Sequence, residues 1–133
     1  MIGPSARAVL KASKWGRKFS RMRKGASVGY ALSDIGRILP YKEAQKITRG
    51  QKGEIIAHHI LESRHLRKWG RANEIPSAPA VILPKDVHNG ITSELRQRLP
   101  YGIKHKRPEV WSAYQKVYRD YPDWLAAIER YFR

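Results

Sequence analysis

The sequence predicts an α+β fold that is mainly helical and has a small core of two strands and one helix. Residues 54–61 and 80–83 form two short apolar runs that are rich in β-branched side chains, as strands are. Pro84 suits the first turn of a helix, and the helical periodicity that begins there extends to about Leu99. Two more helices are predicted closer to the C-terminus.

The first 53 residues differ in composition from the rest of the chain. They contain 13 Lys and Arg residues and two acidic residues, whereas residues 54–133 contain 14 and nine, together with all five histidines. We therefore predict a basic helical N-terminal segment over 1–53 and a separate core over 54–133. Within the segment we expect a helix that ends at Pro40 and a short helix over 42–49. The apolar residues that indicate the first of these helices are Val28, Leu32, Ile35 and Leu39.

The helix predicted after Pro84 has an apolar stripe and a polar stripe, because side chains four residues apart share a helix face. We expect the apolar stripe to pack on the strands, which places the polar stripe beside the histidine pair His58 and His59. The polar stripe contains His88, Thr92 and Arg96. The apolar stripe contains Val87, Ile91, Leu95 and Leu99.

The two C-terminal helices are predicted to begin near Pro108 and Pro122, and both have aromatic residues at helical spacing. Aromatic side chains can stack on bases, but at this spacing they more often form a core, and we expect the core role here. The residues concerned are Val110, Trp111, Tyr114, Val117, Tyr118, Tyr121, Trp124, Leu125, Ile128, Tyr131 and Phe132.

Charge indicates the class of partner. The chain has 27 Lys and Arg residues, 11 Asp and Glu residues and a formal net charge of +16. Such an excess favours a polyanionic partner, with nucleic acid ahead of an anionic membrane surface or an acidic protein. Residues 1–25 contain eight cationic residues and no acidic one, which indicates a phosphate-binding arm in preference to a mitochondrial presequence. No apolar run approaches the ~20 residues of a membrane span, so we expect no stable membrane insertion.

The chain has no cysteine, so histidines are the candidates for metal binding and for acid–base chemistry. Hydrolysis of a phosphodiester needs a base that activates water and a cation that stabilises the charge on phosphate. His58 and His59 are adjacent at the end of a predicted strand, and His88 lies early in the next helix. Adjacent side chains of a strand point to opposite faces, so one histidine of the pair would bind a metal and the other would reach the water from the strand end.

Two stretches of the chain resemble a family of nucleases. The run Ile56–Arg64, with its His-His pair, and the run Ala80–His88 resemble the motifs of the HNH/endonuclease VII superfamily. The similarity continues through Ile91–Thr92, Leu95–Arg96 and Leu99–Gly102 and covers about residues 54–102. Within the superfamily, the chain most resembles the nuclease toxin domains at the C-termini of bacterial polymorphic toxins.

The resemblance implies a ββα-metal fold, also called a His-Me finger, that holds one divalent metal ion, which could be Mg, Mn, Zn or Ni. It implies that His58 and His88 are metal ligands and that His59 is the general base. The chain departs from the family at Ser77-Ala78-Pro79, where the family has an asparagine, and at Thr92, where a further ligand often lies. Candidates for a third ligand or for support of the site are Glu62, Asn89 and Thr92. Candidates for phosphate binding are Arg96, Arg64 and Lys85.

The function implied by the resemblance is that of a metal-dependent endonuclease. It would be the toxic domain of a secreted or contact-delivered effector that acts in the cytoplasm of a target bacterial cell. Its partners would be nucleic acid, DNA ahead of RNA, and an acidic immunity protein that matches the basic surface. Two alternatives stay open, a metal-independent ribonuclease with His59 and His88 as base and acid, and a nucleic-acid-binding protein without activity. His65 and His105 are expected to be exposed or to face phosphates.

Overall fold

The computed structural model describes residues 34–51 and 53–133, and the elements named below lie within those ranges. The helices and strands in chain order are β1 (Ile38–Pro40), α1 (Tyr41–Thr48), β2 (Ile55–His59), α2 (Ser63–Lys68), a 3-10 helix (Ala72–Ser77), β3 (Pro79–Pro84), α3 (Lys85–Arg98), α4 (Arg107–Val117), α5 (Pro122–Ile128) and a second 3-10 helix (Glu129–Phe132). The predicted α+β fold with a predominance of helix is confirmed.

The three strands form one antiparallel sheet in the order β1-β3-β2. The central strand β3 is apolar along its length and buried from Ala80 to Pro84, as expected for a strand with neighbours on both sides. β2 is an outer strand, and its end is fixed by the pairing of His58 with Val81 and of His59 with Ala80. The histidine pair therefore lies where one outer strand of the sheet ends.

The predicted helix that ends at Pro40 is wrong over its described part, because residues 38–40 form β1 and pair with β3. Gly36 has a φ of 89°, which is incompatible with a helix interior, and its N–H donates to the carbonyl of Ile82 at 2.8 Å. Pairing with a buried strand outweighs the weak helical periodicity of the sequence here. Val28 and Leu32 of the same prediction lie outside the described residues.

The predicted helix over 42–49 is present as α1, which packs on β2 and β3. β1 and α1 both lie within residues 1–53, which differ in composition from the rest of the chain. The sheet therefore includes residues from both sides of the composition change at 50–53. The arm at 1–25 lies outside the described residues. The polar stretch after β2, where the sequence indicates no helix, contains α2 and the first 3-10 helix.

The core lies between the sheet and the C-terminal helices. The apolar stripe of α3 is buried as predicted, and so are five aromatic residues near the C-terminus, whereas Trp111, Leu125 and Phe132 are partly buried against the core. The buried aromatic residues are Tyr114, Tyr118, Tyr121, Trp124 and Tyr131. The core role predicted for these residues is confirmed. Among the described helices, none has both the length and the apolar character needed to cross a membrane.

Trp124 is the largest fully buried side chain of this core. Its ring stacks on Tyr121 at a centroid distance of 4.2 Å and meets Tyr118 edge-on at 5.1 Å. We expect Trp124→Ala to lower the free energy of unfolding by about 3–5 kcal/mol, because it leaves a large cavity. The exposed Ala126 of the same helix supplies the control Ala126→Ser, for which a change within about 0.5 kcal/mol is expected. Urea unfolding measures both, and equal stabilities of the two variants would contradict this packing.

Candidate functional site

The three predicted catalytic histidines line one pocket at the end of β2. Its volume is about 300 Å³, and its walls come from α1, β2, the start of α2 and one face of α3. The lining residues are Tyr41, Ile56, Ala57, His58, His59, Glu62, Ser63, His88 and Thr92. Because β2 is an outer strand, side chains from both of its faces reach this pocket.

His58 and His88 are in direct contact through their ring nitrogens. The two Nδ1 atoms lie 2.9 Å apart, and the rings meet edge-on with centroids 5.0 Å apart. His58 is 2% exposed, whereas His88 is half-buried and opens onto the pocket. The apolar stripe of α3 packs into the core as predicted, and this turns His88 on the neighbouring stripe toward His58.

The tautomer of His58 follows from its second ring nitrogen. Nε2 of His58 lies 3.0 Å from the hydroxyl oxygen of Tyr118, and that hydroxyl lies 2.6 Å from the carbonyl oxygen of Ile60. A carbonyl only accepts, so Tyr118 donates its single proton to Ile60 and accepts from His58 Nε2–H. In the neutral imidazole of His58, Nδ1 therefore carries the lone pair, and it accepts a hydrogen bond from Nδ1–H of His88.

Burial keeps His58, His88 and Tyr118 in the neutral state that these hydrogen bonds require. Burial, and to a lesser extent the imidazoles of His88 and His59, hold the pKa of His58 well below 6.5. Burial also lowers the pKa of His88. Burial raises the pKa of Tyr118 well above 10, so its hydroxyl stays protonated and continues to donate. The imidazoles of His58 and His88 are thus neutral near pH 7.

His59 points to the other side of β2 and is held by two contacts. Its ring stacks on Tyr41 of α1, with centroids 3.7 Å apart and an angle of 21° between the planes. Its Nε2 lies 3.2 Å from the carbonyl oxygen of Ile75, so Nε2 carries the proton and Nδ1 the lone pair. Burial lowers the pKa of His59, although the bond to Ile75 partly opposes this shift. A neutral, oriented imidazole is suited to act as a base.

Glu62 lines the pocket, but its Oε1 is taken up by Arg64. Oε1 accepts from Nη2 at 2.8 Å and from Nε at 3.0 Å, and the pair is largely buried. The backbone N–H of Glu62 donates to the hydroxyl of Tyr114 at 3.0 Å. Glu62 and Arg64 therefore form a salt bridge at the pocket.

The candidates for a third metal ligand differ in position. Thr92 lines the pocket one turn after His88, whereas Asn89 is exposed and is not among the pocket-lining residues. Among the described residues, no three His, Asp, Glu or Cys side chains are grouped around a common centre. The structure thus brings two imidazole nitrogens together and places Thr92 and Glu62 beside them in the pocket.

The predicted phosphate-binding residues do not form one group. The guanidinium groups of Arg64 and Arg96 both lie against the ring of Tyr101, at 4.5 Å and 5.0 Å from its centroid. Lys85 is exposed at the start of α3, and its N–H donates to the carbonyl of Glu54, beside the end of β2 farthest from His59. Arg64 and Arg96 are therefore brought together near the pocket, and Lys85 is not.

The prediction that His65 is exposed or faces phosphates is wrong. His65 is 3% exposed, and burial together with the neighbouring cations Arg64 and Lys68 lowers its pKa to about 3. The reason is that the polar stretch after β2 folds into α2 and turns His65 toward the ring of Tyr114. His105 is half-buried, and its Nε2–H donates to the carbonyl of Pro100 at 3.0 Å.

Three contributors to the site were missed from the sequence. Tyr41 and the carbonyl of Ile75 hold His59, and the hydroxyl of Tyr118 fixes His58. The helical spacing of the aromatic residues predicts that Tyr118 is buried. Because a buried tyrosine hydroxyl needs a hydrogen-bond partner, a role of Tyr118 in holding another polar group could have been predicted from the sequence. Tyr41 and Ile75 are brought to His59 only by tertiary folding, and no local pattern indicates them.

The fold and the site define an α+β protein with a pocket of neutral, oriented histidines. Comparison of the chain with protein-family models, with curated proteins and with solved structures finds no match.

The lowered histidine pKa values predict a pH-dependent stability. His58, His59, His65 and His88 resist protonation in the folded protein, whereas the unfolded chain takes up protons below about pH 6.5. The free energy of unfolding should therefore be constant above about pH 6.5 and fall below it, by up to ~1.4 kcal/mol per pH unit for each histidine. Urea unfolding in a series of buffers measures this dependence. A stability that stays level or rises on acidification would contradict the buried, neutral histidines.

Tyr118→Phe tests the tautomer assignment. The change removes the acceptor of His58 Nε2–H and the donor to Ile60, so we expect a loss of about 1–3 kcal/mol in unfolding free energy. It should also shift the nitrogen NMR signals of His58, because Nε2–H is no longer preferred. Tyr114→Phe is the matched control, since it also removes a buried hydroxyl but one that contacts Glu62. Unchanged His58 signals in Tyr118→Phe would refute the assignment.

Proposed function

We propose that the protein is a metal-dependent endonuclease that hydrolyses phosphodiester bonds in nucleic acid. The observation that supports this most strongly is the pair of ring nitrogens of His58 and His88, 2.9 Å apart, at the wall of a pocket. His59, on the same pocket, is a neutral imidazole held by Ile75 and Tyr41. A cation site next to an oriented base is what hydrolysis of a phosphodiester requires.

The donor set of two imidazole nitrogens fits Zn or Ni better than Mn or Mg, which prefer oxygen ligands. Two nitrogens at ~2.0–2.1 Å from one ion are at most about 4 Å apart, and the two Nδ1 atoms satisfy this limit. His58 also has the supporting contact typical of a metal-binding histidine, because its other ring nitrogen donates to a fixed acceptor, Tyr118. His88 Nδ1 donates to His58 Nδ1 in the structure, so binding of a metal by both nitrogens would move the proton of His88 to Nε2.

The roles of the histidines follow from these contacts. A divalent cation bound by His58 and His88 would stabilise the negative charge that develops on the phosphate and on the leaving oxygen. Nδ1 of His59 would take a proton from the attacking water while the water oxygen bonds to phosphorus. The P–O bond to the leaving group then breaks. The carbonyl of Ile75 accepts from Nε2–H of His59 and so stabilises the imidazolium that forms.

The order of elements supports assignment to the ββα-metal fold. β2 and β3 are antiparallel neighbours, and α3 follows β3 directly and contributes His88. The connection from β2 to β3 is long and includes α2 and a 3-10 helix, whose Ile75 carbonyl contacts His59. That contact supplies an anchor for the base where the family asparagine is absent.

Charge supports nucleic acid as the substrate, DNA ahead of RNA. The net charge is +16, and Arg64 and Arg96 lie close to the pocket on the ring of Tyr101. With the resemblance to toxin domains, this favours a secreted or contact-delivered effector that acts in the cytoplasm of a target bacterial cell. An acidic immunity protein would be its second partner, because a basic surface of this size needs a complementary one.

The alternative of a metal-independent ribonuclease would need His88 as a free general acid beside His59. The contact of His88 Nδ1 with His58 Nδ1 favours the metal-dependent reaction instead. Cleavage of plasmid DNA and total RNA, each with and without EDTA, distinguishes these functions. We expect DNA cleavage that EDTA abolishes. Cleavage of RNA alone that persists in EDTA would favour the ribonuclease, and binding without cleavage would favour a non-enzymatic protein.

The three histidines should differ when each is replaced by alanine. His59→Ala should reduce cleavage by about 10²–10⁴-fold and still bind metal, because it removes only the base. His58→Ala and His88→Ala should lose both metal binding and cleavage, because each removes a ligand. Calorimetric titration with Mn²⁺, Ni²⁺ or Zn²⁺ and plasmid nicking measure the two properties.

The control for these variants is Ser93→Ala, which changes an exposed residue of α3 outside the pocket. It should bind metal and cleave as the parent does. If His59→Ala loses metal while His58→Ala keeps it, the two roles are exchanged. If all three histidine variants cleave as the parent does, the nuclease site is elsewhere.

A further inference from the structure

The described residues include two large apolar side chains that are mostly exposed, and both lie in one loop. Tyr101 is 54% exposed and Ile103 is 53% exposed, in the connection between α3 and α4. Most other large apolar residues of the described chain are buried or half-buried. Exposed apolar groups on a strongly basic surface indicate a binding site for something that is both anionic and partly apolar.

The loop has a fixed conformation that keeps these side chains exposed. The imidazole of His105 donates from Nε2 to the carbonyl of Pro100 and thereby closes the loop at 3.0 Å. Gly102 has a φ of 79°, a left-handed conformation that favours glycine and turns the chain between Tyr101 and Ile103. Because the loop is closed in this way, the exposure of Tyr101 and Ile103 is a property of its fold.

A second pocket of about 480 Å³ lies between this loop and α2. Its lining residues include the aromatic Trp69, the apolar Ile103 and the two lysines Lys68 and Lys104, and the guanidinium of Arg107 lies over the Trp69 ring at 4.8 Å. This volume is in the range of pockets that hold small organic ligands. The combination of aromatic and apolar walls with cations suits a flat heterocycle that has a phosphate attached to it.

The second pocket is next to the catalytic pocket. Glu62 and Ser63, at the start of α2, line the catalytic pocket, whereas Lys68 and Trp69, at its end, border the second one. Arg64 lies between them on the same helix, and its guanidinium group contacts the ring of Tyr101. The two pockets thus lie at opposite ends of α2, and the ring of Tyr101 with its two arginines lies near the helix between them.

We infer that the second pocket binds one unstacked base of a single-stranded nucleic acid whose backbone passes Arg96 into the catalytic pocket. In a duplex the bases are paired and stacked, so only phosphates would reach these side chains. Single-strand binding uses the combination present here, cations for the backbone and aromatic or apolar groups for the bases. This inference rests on the proposed nuclease function and specifies its substrate as single-stranded or locally unpaired.

The experiment measures binding without cleavage. The full chain with His59→Ala, in EDTA, is titrated into a fluorescent oligothymidine and into a labelled duplex of equal length. The substitution Ile103→Ser is then introduced into this chain. Ala126→Ser, at an exposed site away from the pocket, is the control. Lys104→Ala is paired with Lys116→Ala, which removes the same charge from α4 outside this pocket.

We expect Ile103→Ser to weaken oligothymidine binding by roughly 5-fold or more and to leave duplex binding within about 2-fold. Lys104→Ala should weaken oligothymidine binding more than Lys116→Ala does. Oligothymidine should also quench indole fluorescence in the parent, and this quenching should be reduced in Trp69→Phe and retained in Trp111→Phe. Parent cleavage of the same oligomers with Mn²⁺ tests the nuclease function separately.

Three results would overturn the inference. In the first, Ile103→Ser binds oligothymidine as Ala126→Ser does. In the second, single strand and duplex lose affinity equally in the pocket variants. In the third, these variants weaken the binding of poly-L-glutamate but not of oligothymidine, which would make the pocket a docking site for an acidic protein. Failure of cleavage with intact, pocket-dependent binding would instead overturn the nuclease function alone.

Discussion

The hydroxyl of Tyr118 has one proton, and the group that accepts this proton determines which ring nitrogen of His58 carries the lone pair. It donates to the carbonyl of Ile60, so it must accept from Nε2 of His58, and the lone pair of His58 Nδ1 is left facing His88. Burial raises the pKa of Tyr118 and lowers that of His58, so neither group changes state near pH 7. The aromatic core and the imidazoles of His58 and His88 are therefore parts of one hydrogen-bonded unit.

The outer position of β2 is what allows two adjacent histidines to serve one pocket. His58 faces α3 and the aromatic core, whereas His59 faces Tyr41 of α1 and the carbonyl of Ile75. In a central strand, these opposite directions would separate the two imidazoles by the sheet itself. Because β2 ends here on the outside of the sheet, the pocket opens to both. In the proposed reaction, this geometry lets a base and a bound cation act on the same phosphate.

The sequence predicted the parts of this arrangement that depend on local pattern. β2, β3, α3 and the stripe that places His88 near His58 all follow from apolar spacing, and the buried aromatic residues do too. β1 was missed, because three residues that end in a proline have too little pattern to compete with helical periodicity. The contacts of His59 with Tyr41 and Ile75 join residues 16 to 18 positions away from it across the fold. Such contacts depend on tertiary packing, which no local pattern indicates. The helix α2 was missed because its few buried residues lie within a polar stretch.

The most direct test of the account is X-ray absorption at the zinc edge for the full chain loaded with one equivalent of Zn²⁺. The account predicts two imidazole nitrogens at ~2.0–2.1 Å from the metal, reduced to one in His58→Ala and in His88→Ala. The spectrum of His59→Ala should match that of the parent. A shell without imidazole, or one that is the same in all three variants, would contradict a cation site built on His58 and His88.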